Sequence, residues 1–273
     1  MNNNQLYTTL NNGRSMPLLG LGVYDMHQAE AEKAIETALG IGYRLIDTAA
    51  MYNNEKEVGN AIRNSGVHRN EIFVTTKVNN TDHGYENALR AFDTSMKNLN
   101  IDYIDLYLVH WPIRGTREDT WKALEYLCYN QMVRAVGVAN YLIPFLTELE
   151  TYASLVPVLN QVEFSPFLYL KDLLNYCRQR NIQLQAYTPL TKGKKFKDPL
   201  IVELSNTYHK SPAQIILRWN IQKGVSAIPK SANPKRLQEN FDIFDFEISE
   251  ADMHKMDALN EYFIIVDDPI TYL

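Results

Sequence analysis

Cysteine is scarce in this chain, where Cys128 and Cys177 are the only two among 273 residues. Two cysteines far apart do not make the dense disulfide framework of small secreted domains. Residues 1–5 are polar and uncharged, so the start of the chain lacks the basic and apolar segments of a secretory signal. These absences predict a reducing compartment and a cytoplasmic protein.

Long apolar runs and an excess of positive charge are also missing. No stretch of 18 consecutive apolar residues occurs, which argues against a membrane-spanning helix. The 27 basic and 32 acidic residues give a net charge of −5 and a pI near 5.7. Proteins that bind nucleic acid or anionic membrane surfaces need the opposite balance, so neither partner is expected.

Two sequence motifs are absent as well. No Gly-x-Gly-x-x-Gly turn is present, so a Rossmann dinucleotide-binding module is not predicted. Histidine occurs six times and never as a His-x-His pair, which leaves few ligands for a metal site. We expect no resident metal ion.

The chain does contain enough apolar material for a large core. Hydrophobic residues make up 45% and charged residues 22% of it, as in ordinary globular proteins. A closed α/β barrel accommodates about 250 residues in one domain, so residues 1–273 are predicted to form a single domain.

Short β-branched and aromatic runs alternate with segments of helical period. Leu89, Phe92, Met96 and Leu99, for example, share one helical face. Eight such runs imply parallel strands joined by crossover helices. The predicted strands are 19–24, 44–47, 72–76, 104–109, 135–138, 158–161, 182–187 and 225–228.

Seven of these strands end in or just before a polar or ionisable residue. Any single one is equally explained by a strand that meets solvent, but seven in order indicate one shared edge, because the carboxyl ends of parallel barrel strands converge on the functional rim. This regularity favours a closed barrel over an open sheet. The seven residues are Asp47, Lys77, His110, Asn140, Gln161, Tyr187 and Lys230.

Two further segments lie outside this repeat. Residues 7–14 alternate around an Asn12-Gly13 turn, which predicts an N-terminal β-hairpin able to plug the bottom of a barrel. Residues 192–197 are rich in lysine and follow the seventh strand, where a solvated loop and a phosphate-covering loop are equally compatible with the charge.

Asp47, Tyr52, Lys77 and His110 suggest a device for proton transfer. An ammonium beside Tyr52 would lower the pKa of its phenol, Asp47 would keep Lys77 charged, and His110 would orient a substrate oxygen. A core tyrosine, a buried ion pair and a strand-end histidine are the plainer interpretations. Composition and spacing alone favour those.

Six segments in order, however, resemble the signature blocks of the aldo-keto reductase family, in particular its short microbial-type members. The resemblance extends beyond these blocks, over residues 15 to 245. The blocks are 45–55 (LIDTAAMYNNE), 75–77 (TTK), 109–112 (VHWP), 137–140 (GVAN), 160–163 (NQVE) and 228–231 (IPKS).

The resemblance implies a (β/α)8 TIM barrel that binds NADPH across its carboxyl rim and reduces a small-molecule carbonyl substrate. It assigns the general acid to Tyr52, the tuning pair to Lys77 and Asp47, and carbonyl orientation to His110. An NADPH-dependent aldehyde reductase related to NADP-linked alcohol dehydrogenases is expected, active on aldehydes, α-dicarbonyls or ketones. A monomer is the family default.

Cofactor contacts are implied by the same resemblance. Asn140 and Gln161 match the positions that hold the nicotinamide carboxamide, and Tyr187 matches the aromatic residue that stacks on its ring. Three residues match the pocket for the 2′-phosphate, whose two cationic groups favour NADPH over NADH, and two match the contacts to adenine. The former are Lys230, Ser231 and Arg236, and the latter are Glu239 and Asn240.

Three positions depart from the family pattern. Ala139 replaces a serine and should weaken nicotinamide positioning. Tyr24 stands for a common tryptophan, and Asn79 for an aromatic that often lines the substrate pocket, to which Trp111 also belongs. With short loops and a tail that ends soon after Asp267-Asp268-Pro269, we expect a more polar and more open pocket without large covering loops.

Two other functions remain open on the sequence. One is a non-catalytic barrel that binds NADPH as a regulatory module, against which the four proton-transfer residues argue. The other is a metal-dependent hydrolase built on His110 and Asp47, for which the histidine supply is poor.

Overall fold

Eight parallel strands follow one another in sequence order around the sheet of the computed structural model, which describes residues 6–272. Each strand pairs with its neighbours along the chain, as βαβ units require. The strands are β3 (Leu21–Gly22), β4 (Leu45–Asp47), β5 (Phe73–Val78), β6 (Leu106–Val109), β7 (Val136–Ala139), β8 (Leu159–Glu163), β9 (Gln183–Tyr187) and β10 (Ser226–Ala227).

The first and last strands close the barrel. Leu19 forms a parallel bridge with Ala227, and Gly20 N donates to Ala227 O at 2.9 Å. A Cβ on Gly22 would lie 2.8 Å from Ile228 O, so the close approach of the two strands needs glycine there. The predicted (β/α)8 barrel is confirmed, although β3 is shorter than predicted.

Helices cover the outside of the strands. Their amphipathic faces pack on the sheet, and three of them begin with a cap followed by proline, at Asp198, Ser211 and Asn233. The helices are α1 (Gln28–Ile41), α2 (Glu55–Asn64), α3 (Tyr85–Leu99), α4 (Arg117–Tyr129), α5 (Ile143–Leu149), α6 (Lys171–Gln179), α7 (Pro199–Tyr208), α8 (Pro212–Gln222), α9 (Pro234–Phe241) and α10 (Glu250–Asp257).

The predicted N-terminal hairpin is present. Strands β1 (Tyr7–Thr9) and β2 (Ser15–Pro17) pair antiparallel, with Gly13 at φ +81° in the turn. Leu10 and Met16 are buried in the same apolar cluster as the lower, inward-facing strand residues. The hairpin therefore plugs the amino end of the barrel and leaves the carboxyl rim for the site.

Within residues 6–272, no helix is both long and apolar enough to cross a membrane.

Candidate active site

Asp47 and Lys77 form a buried ion pair at the carboxyl ends of β4 and β5. Lys77 Nζ lies 2.6 Å from Asp47 Oδ1 and 2.9 Å from Thr48 O, and the two side chains are 2% and 0% exposed. Burial raises the pKa of Asp47 and lowers that of Lys77, while their mutual attraction opposes both shifts. A buried charge without its partner would be strongly unfavourable, so the two side chains are held together in one geometry.

A row of amides extends this pair across the barrel. Gln161 Nε2 donates to Asp47 Oδ2 and to Gln185 Oε1, both at 2.7 Å, and Gln185 Nε2 donates to Ser226 Oγ at 3.0 Å. Sequence analysis missed Gln185 and Ser226. The signal was the strand alternation that turns Gln185, two residues before Tyr187, toward the barrel interior.

Tyr52 stands above this pair at the end of a short 3₁₀ turn after β4. Asn54, fully buried, fixes the loop: its Oδ1 accepts from Thr48 Oγ1 at 2.6 Å, and its Nδ2 donates to Val23 O and Met26 O at 2.8 and 2.9 Å. The loop that carries Tyr52 is thus tied to the loop that follows β3. Sequence analysis did not identify this role of Asn54.

The aromatic ring of Tyr52 is surrounded by the other predicted residues. Lys77 Nζ lies 5.1 Å from its centroid, His110 has its ring centroid at 5.7 Å, and that of Tyr24 lies at 5.1 Å. The structure therefore brings all four predicted proton-transfer residues together.

One prediction about Tyr52 is wrong. The pKa of its phenol is raised well above the ordinary value, not lowered, because burial and the negative charge of Asp47 disfavour phenolate. Lys77 is turned toward Asp47 and Thr48, so its charge does not reverse that effect. Tyr52 stays protonated.

His110 follows β6 and is 7% exposed. Its Nδ1 is buried and has no hydrogen-bond partner among the described residues. Burial, the charge of Lys77 and the neighbouring His83 hold the pKa of His110 well below its ordinary value. The imidazole is therefore neutral at physiological pH.

The three residues predicted to meet nicotinamide also converge. Asn140 Nδ2 donates to His110 O, and Asn140 Oδ1 accepts from Tyr187 Oη, both at 2.8 Å. Both amide hydrogens of Gln161 are used below the rim, which leaves its Oε1 as an acceptor. Ala139, the last residue of β7, pairs with Gln161 and belongs to the apolar cluster inside the barrel.

The predicted phosphate and adenine residues lie around the start of α9. Lys230 and Arg236 are exposed and have no ion-pair partner within the part of the chain that is described. Ser231 is 7% exposed, and its Oγ accepts from Asn233 N in its own turn. Glu239 is half-buried, and Asn240 is 3% exposed.

The predicted substrate residues surround the mouth of the barrel. Tyr24 is 58% exposed at the edge of the Tyr52 ring, and Trp111 is buried. Asn79 comes directly after Val78, which pairs with Val109, so it stands beside His110 on the next strand. Its side chain does not cap the following turn.

A further aromatic residue at this mouth comes from the tail. The ring of Tyr272 lies 5.4 Å from that of Trp111, and Arg117 Nη1 donates to Tyr272 O at 3.2 Å. The short tail therefore reaches the rim, while the more open pocket without large covering loops stays a prediction. Sequence analysis missed Tyr272 and Arg117, since no local pattern shows where a loop will fold back.

Between residues 6 and 272, no group of three or more histidine, cysteine or acidic residues could hold a metal ion. Both oxygens of Asp47 are engaged by Lys77 and Gln161. Asp47 thus has no oxygen left free of a side-chain partner.

Known proteins resemble the chain over nearly its whole length. The chain is 48% identical to the glyoxal reductase of Bacillus subtilis (strain 168), covering 92% of each. An aldo-keto reductase from a Medee basin deep-sea metagenome library superposes with a TM-score of 0.93 at 42% identity, covering 96% of this chain and 97% of that one. The Bombyx mori aldo-keto reductase, solved in complex with NADP, gives a TM-score of 0.91 at 32% identity, with 96% and 95% covered.

The model of the Aldo/keto reductase family matches residues 18–261, which include all four predicted proton-transfer residues and every predicted cofactor residue. With this match and the full-length similarity to its members, the chain belongs to the aldo/keto reductase family.

Proposed function

We propose that this oxidoreductase reduces small carbonyl compounds to alcohols with NADPH, and that Tyr52 is the general acid. The observation that carries the proposal is the convergence of Tyr52, His110 and the Asp47–Lys77 pair on one point of the rim. Reduction of a carbonyl requires a proton at its oxygen and a hydride at its carbon. The described side chains provide for the first of these.

Tyr52 supplies the proton. Its raised pKa keeps the phenol protonated across the physiological range, so the donor is always loaded. As the proton leaves, the ammonium of Lys77, 5.1 Å from the ring centroid, stabilises the charge that develops on the phenolate. Asp47 holds that ammonium in place.

His110 orients the carbonyl. A neutral imidazole carries one N–H, and the buried, unpartnered Nδ1 of His110 favours the tautomer with hydrogen on Nε2. That N–H and the phenol of Tyr52 would then donate to the same substrate oxygen. Two donors fix its position more tightly than one.

The rim residues fit NADPH. Gln161 Oε1 and the second amide hydrogen of Asn140 are an acceptor and a donor for a carboxamide, beside the ring of Tyr187. Lys230 and Arg236 are exposed cations at the start of α9, where a phosphate is favoured. When bound, the cofactor supplies the hydride. Ser231, Glu239 and Asn240 would complete its adenosine end.

Small aldehydes and α-dicarbonyls are the proposed substrates. Tyr24, Asn79 and Trp111 give the mouth of the site both aromatic surface and hydrogen-bonding groups. Similarity to a glyoxal reductase supports the same class. We further propose a cytoplasmic monomer, in keeping with the two free cysteines.

A panel of carbonyls tests the proposal. NADPH oxidation is followed with methylglyoxal, benzaldehyde and a sugar aldehyde, before and after a chelator is added. We expect NADPH-dependent turnover that the chelator does not change. NADPH binding without turnover on any carbonyl would show a regulatory barrel, and loss of activity on chelation would show metal chemistry.

A further inference from the structure

The tail of the chain, residues 259–272, crosses the carboxyl rim after α10. None of its residues is buried, and Tyr262, Ile264 and Ile270 are 70%, 41% and 41% exposed. Leu259, Phe263 and Tyr272 are partly buried against the core, so apolar contacts hold the tail near both of its ends. Polar contacts with the barrel act on the segment between them.

Glu163 provides the central contact. It is the last residue of β8 and 7% exposed, and its Oε1 accepts from Ile265 N at 2.8 Å while its Oε2 accepts from Val266 N at 2.9 Å. Burial raises the pKa of Glu163, and the two N–H donors oppose that rise. The carboxylate and the tail therefore satisfy each other.

Weaker contacts hold the tail on either side of this point. Toward α10, Phe167 O accepts from Glu261 N at 3.2 Å and from Phe263 N at 3.0 Å. Toward the end, the ring of Tyr272 contacts Trp111, and Tyr272 O accepts from Arg117 Nη1 at 3.2 Å. Glu163 stands between these anchors, so its loss would loosen the segment that leads to Tyr272.

Glu163 has a second route by which it could affect the site, through its partner on the neighbouring strand. Glu163 pairs with Tyr187, whose ring we place against nicotinamide. The carboxylate itself, however, bonds to the tail. An effect through the tail should change substrate binding, and an effect through Tyr187 should change cofactor binding.

We propose that Glu163 is a positioning residue that clamps the tail to the rim, so that Tyr272 forms one wall of the substrate pocket beside Trp111. This proposal rests on the carbonyl reduction proposed above. It assigns selectivity for bulky substrates to a carboxylate that touches neither substrate nor proton donor.

The first test uses Glu163→Gln. A carboxamide has one acceptor oxygen, so at most one of the two tail N–H groups keeps its partner. We expect faster deuterium exchange in residues 263–272 and a KM for benzaldehyde about tenfold higher, the scale of one lost hydrogen bond to a charged group. The kcat for methylglyoxal should stay within about twofold, because the pocket wall contributes to substrate binding and not to the chemical step. The Kd for NADPH should also stay within about twofold, because the tail is not among the proposed cofactor contacts.

Two further variants separate the clamp from the wall it holds. Tyr272→Ala should raise the KM for benzaldehyde similarly and leave exchange at 265 and 266 unchanged. Glu163→Asp keeps the charge and should give a smaller effect than Glu163→Gln. Glu150→Gln is the matched control, because Glu150 pairs with Arg180 on the exposed outer surface, and it should change none of these values.

Each contrary result has a definite meaning. Unchanged tail exchange in Glu163→Gln would show that the carboxylate is not the clamp. Faster exchange with unchanged KM ratios, or a weakened Kd for NADPH, would overturn the role in the substrate pocket. If the wild-type protein reduced no carbonyl, the proposed function would fall, while the exchange comparison would still decide whether the clamp exists.

Discussion

Two regions of the site are held in opposite ways: the floor, formed by Asp47, Lys77, Gln161 and Gln185, and the tail that crosses the rim. In the floor, Asp47 and Lys77 are almost fully buried, and Asp47 is bonded through both oxygens. The tail, residues 259–272, has no buried residue and is held by a few polar contacts and three partly buried apolar side chains. Because the floor has many mutual contacts and the tail has few, we expect local unfolding to begin in the tail.

The largest expected effect comes from removing the proton donor above the floor. Tyr52→Phe keeps the ring and its contacts but not the transferable proton, so kcat/KM for an aldehyde should fall by about 10²–10⁴-fold. NADPH binding, followed by fluorescence titration, should be unchanged. Near-normal turnover would remove Tyr52 from its role as the acid.

Removing one ion pair from the floor and one from the tail tests how much each region contributes to stability. Lys77→Met leaves Asp47 buried and unpaired, which should cost about 3–5 kcal/mol of unfolding free energy. Lys195→Met breaks the partly exposed Lys195–Glu261 pair between the loop after β9 and the tail, and should cost about 0–1 kcal/mol.

Urea unfolding of both variants measures this difference. Both proteins should retain the far-ultraviolet dichroism of the barrel. Equal losses for the two substitutions would contradict the contrast between floor and tail.

Acid should lower the unfolding free energy of the barrel, because its buried histidines resist protonation in the folded state. His83 is 6% exposed, and burial lowers its pKa from 6.5 to about 4. The unfolded chain takes up a proton before the folded one does, so this contribution to stability is full above pH 6.5 and is lost progressively as the pH falls from 6.5 to about 4. At about 1.4 kcal/mol per unit, His83 accounts for about 3 kcal/mol.

His83→Leu should flatten this part of the stability profile, measured by urea unfolding at a series of pH values. His110 acts in the same direction, so some acid sensitivity should remain. An unchanged profile in the variant would show that His83 is not the titrating group.

An exposed residue of the rim should affect binding without affecting stability. Arg236→Ala should weaken NADPH by about 1–3 kcal/mol, since a charge-assisted contact to phosphate is lost, and leave NADH almost unchanged. Lys235→Ala, another exposed cation of α9, serves as the control. Equal weakening of both cofactors would make Arg236 a structural residue.

The smallest expected effect concerns the pocket between floor and tail. Asn79→Trp adds aromatic surface beside His110 and should lower the KM for benzaldehyde-type substrates by a factor that corresponds to about 1–2 kcal/mol of binding free energy. Small dicarbonyls should gain little, and sugar aldehydes should lose efficiency. Unchanged ratios of kcat/KM across the three classes would place Asn79 outside the pocket.

The fold was accessible from the sequence because its determinants are local and repeated. Eight apolar runs alternate with helical segments, and a parallel sheet with crossover helices is the one arrangement that buries both. Asp47, Lys77 and His110 could be assigned to one rim for the same reason, since they end successive strands. The Asn12-Gly13 turn likewise shows the hairpin without any distant contact.

Other features depend on which segments meet in space. The direction of the pKa shift of Tyr52 depends on burial and on where Lys77 points, and neither is visible in a motif. Gln185 became part of the floor only because β9 places it against Gln161.

Sequence alone therefore determined the barrel, its rim and the chemical types of the residues there, because periodicity and strand order follow from local patterns. Tertiary structure alone decided the contacts between segments far apart in the chain, such as Glu163 with Val266 and Trp111 with Tyr272. Such contacts depend on the path of an irregular segment, which no repeating pattern encodes. The rim positions of Asp47, Lys77 and His110 belong to the first kind of information, and the contact between Tyr272 and Trp111 belongs to the second.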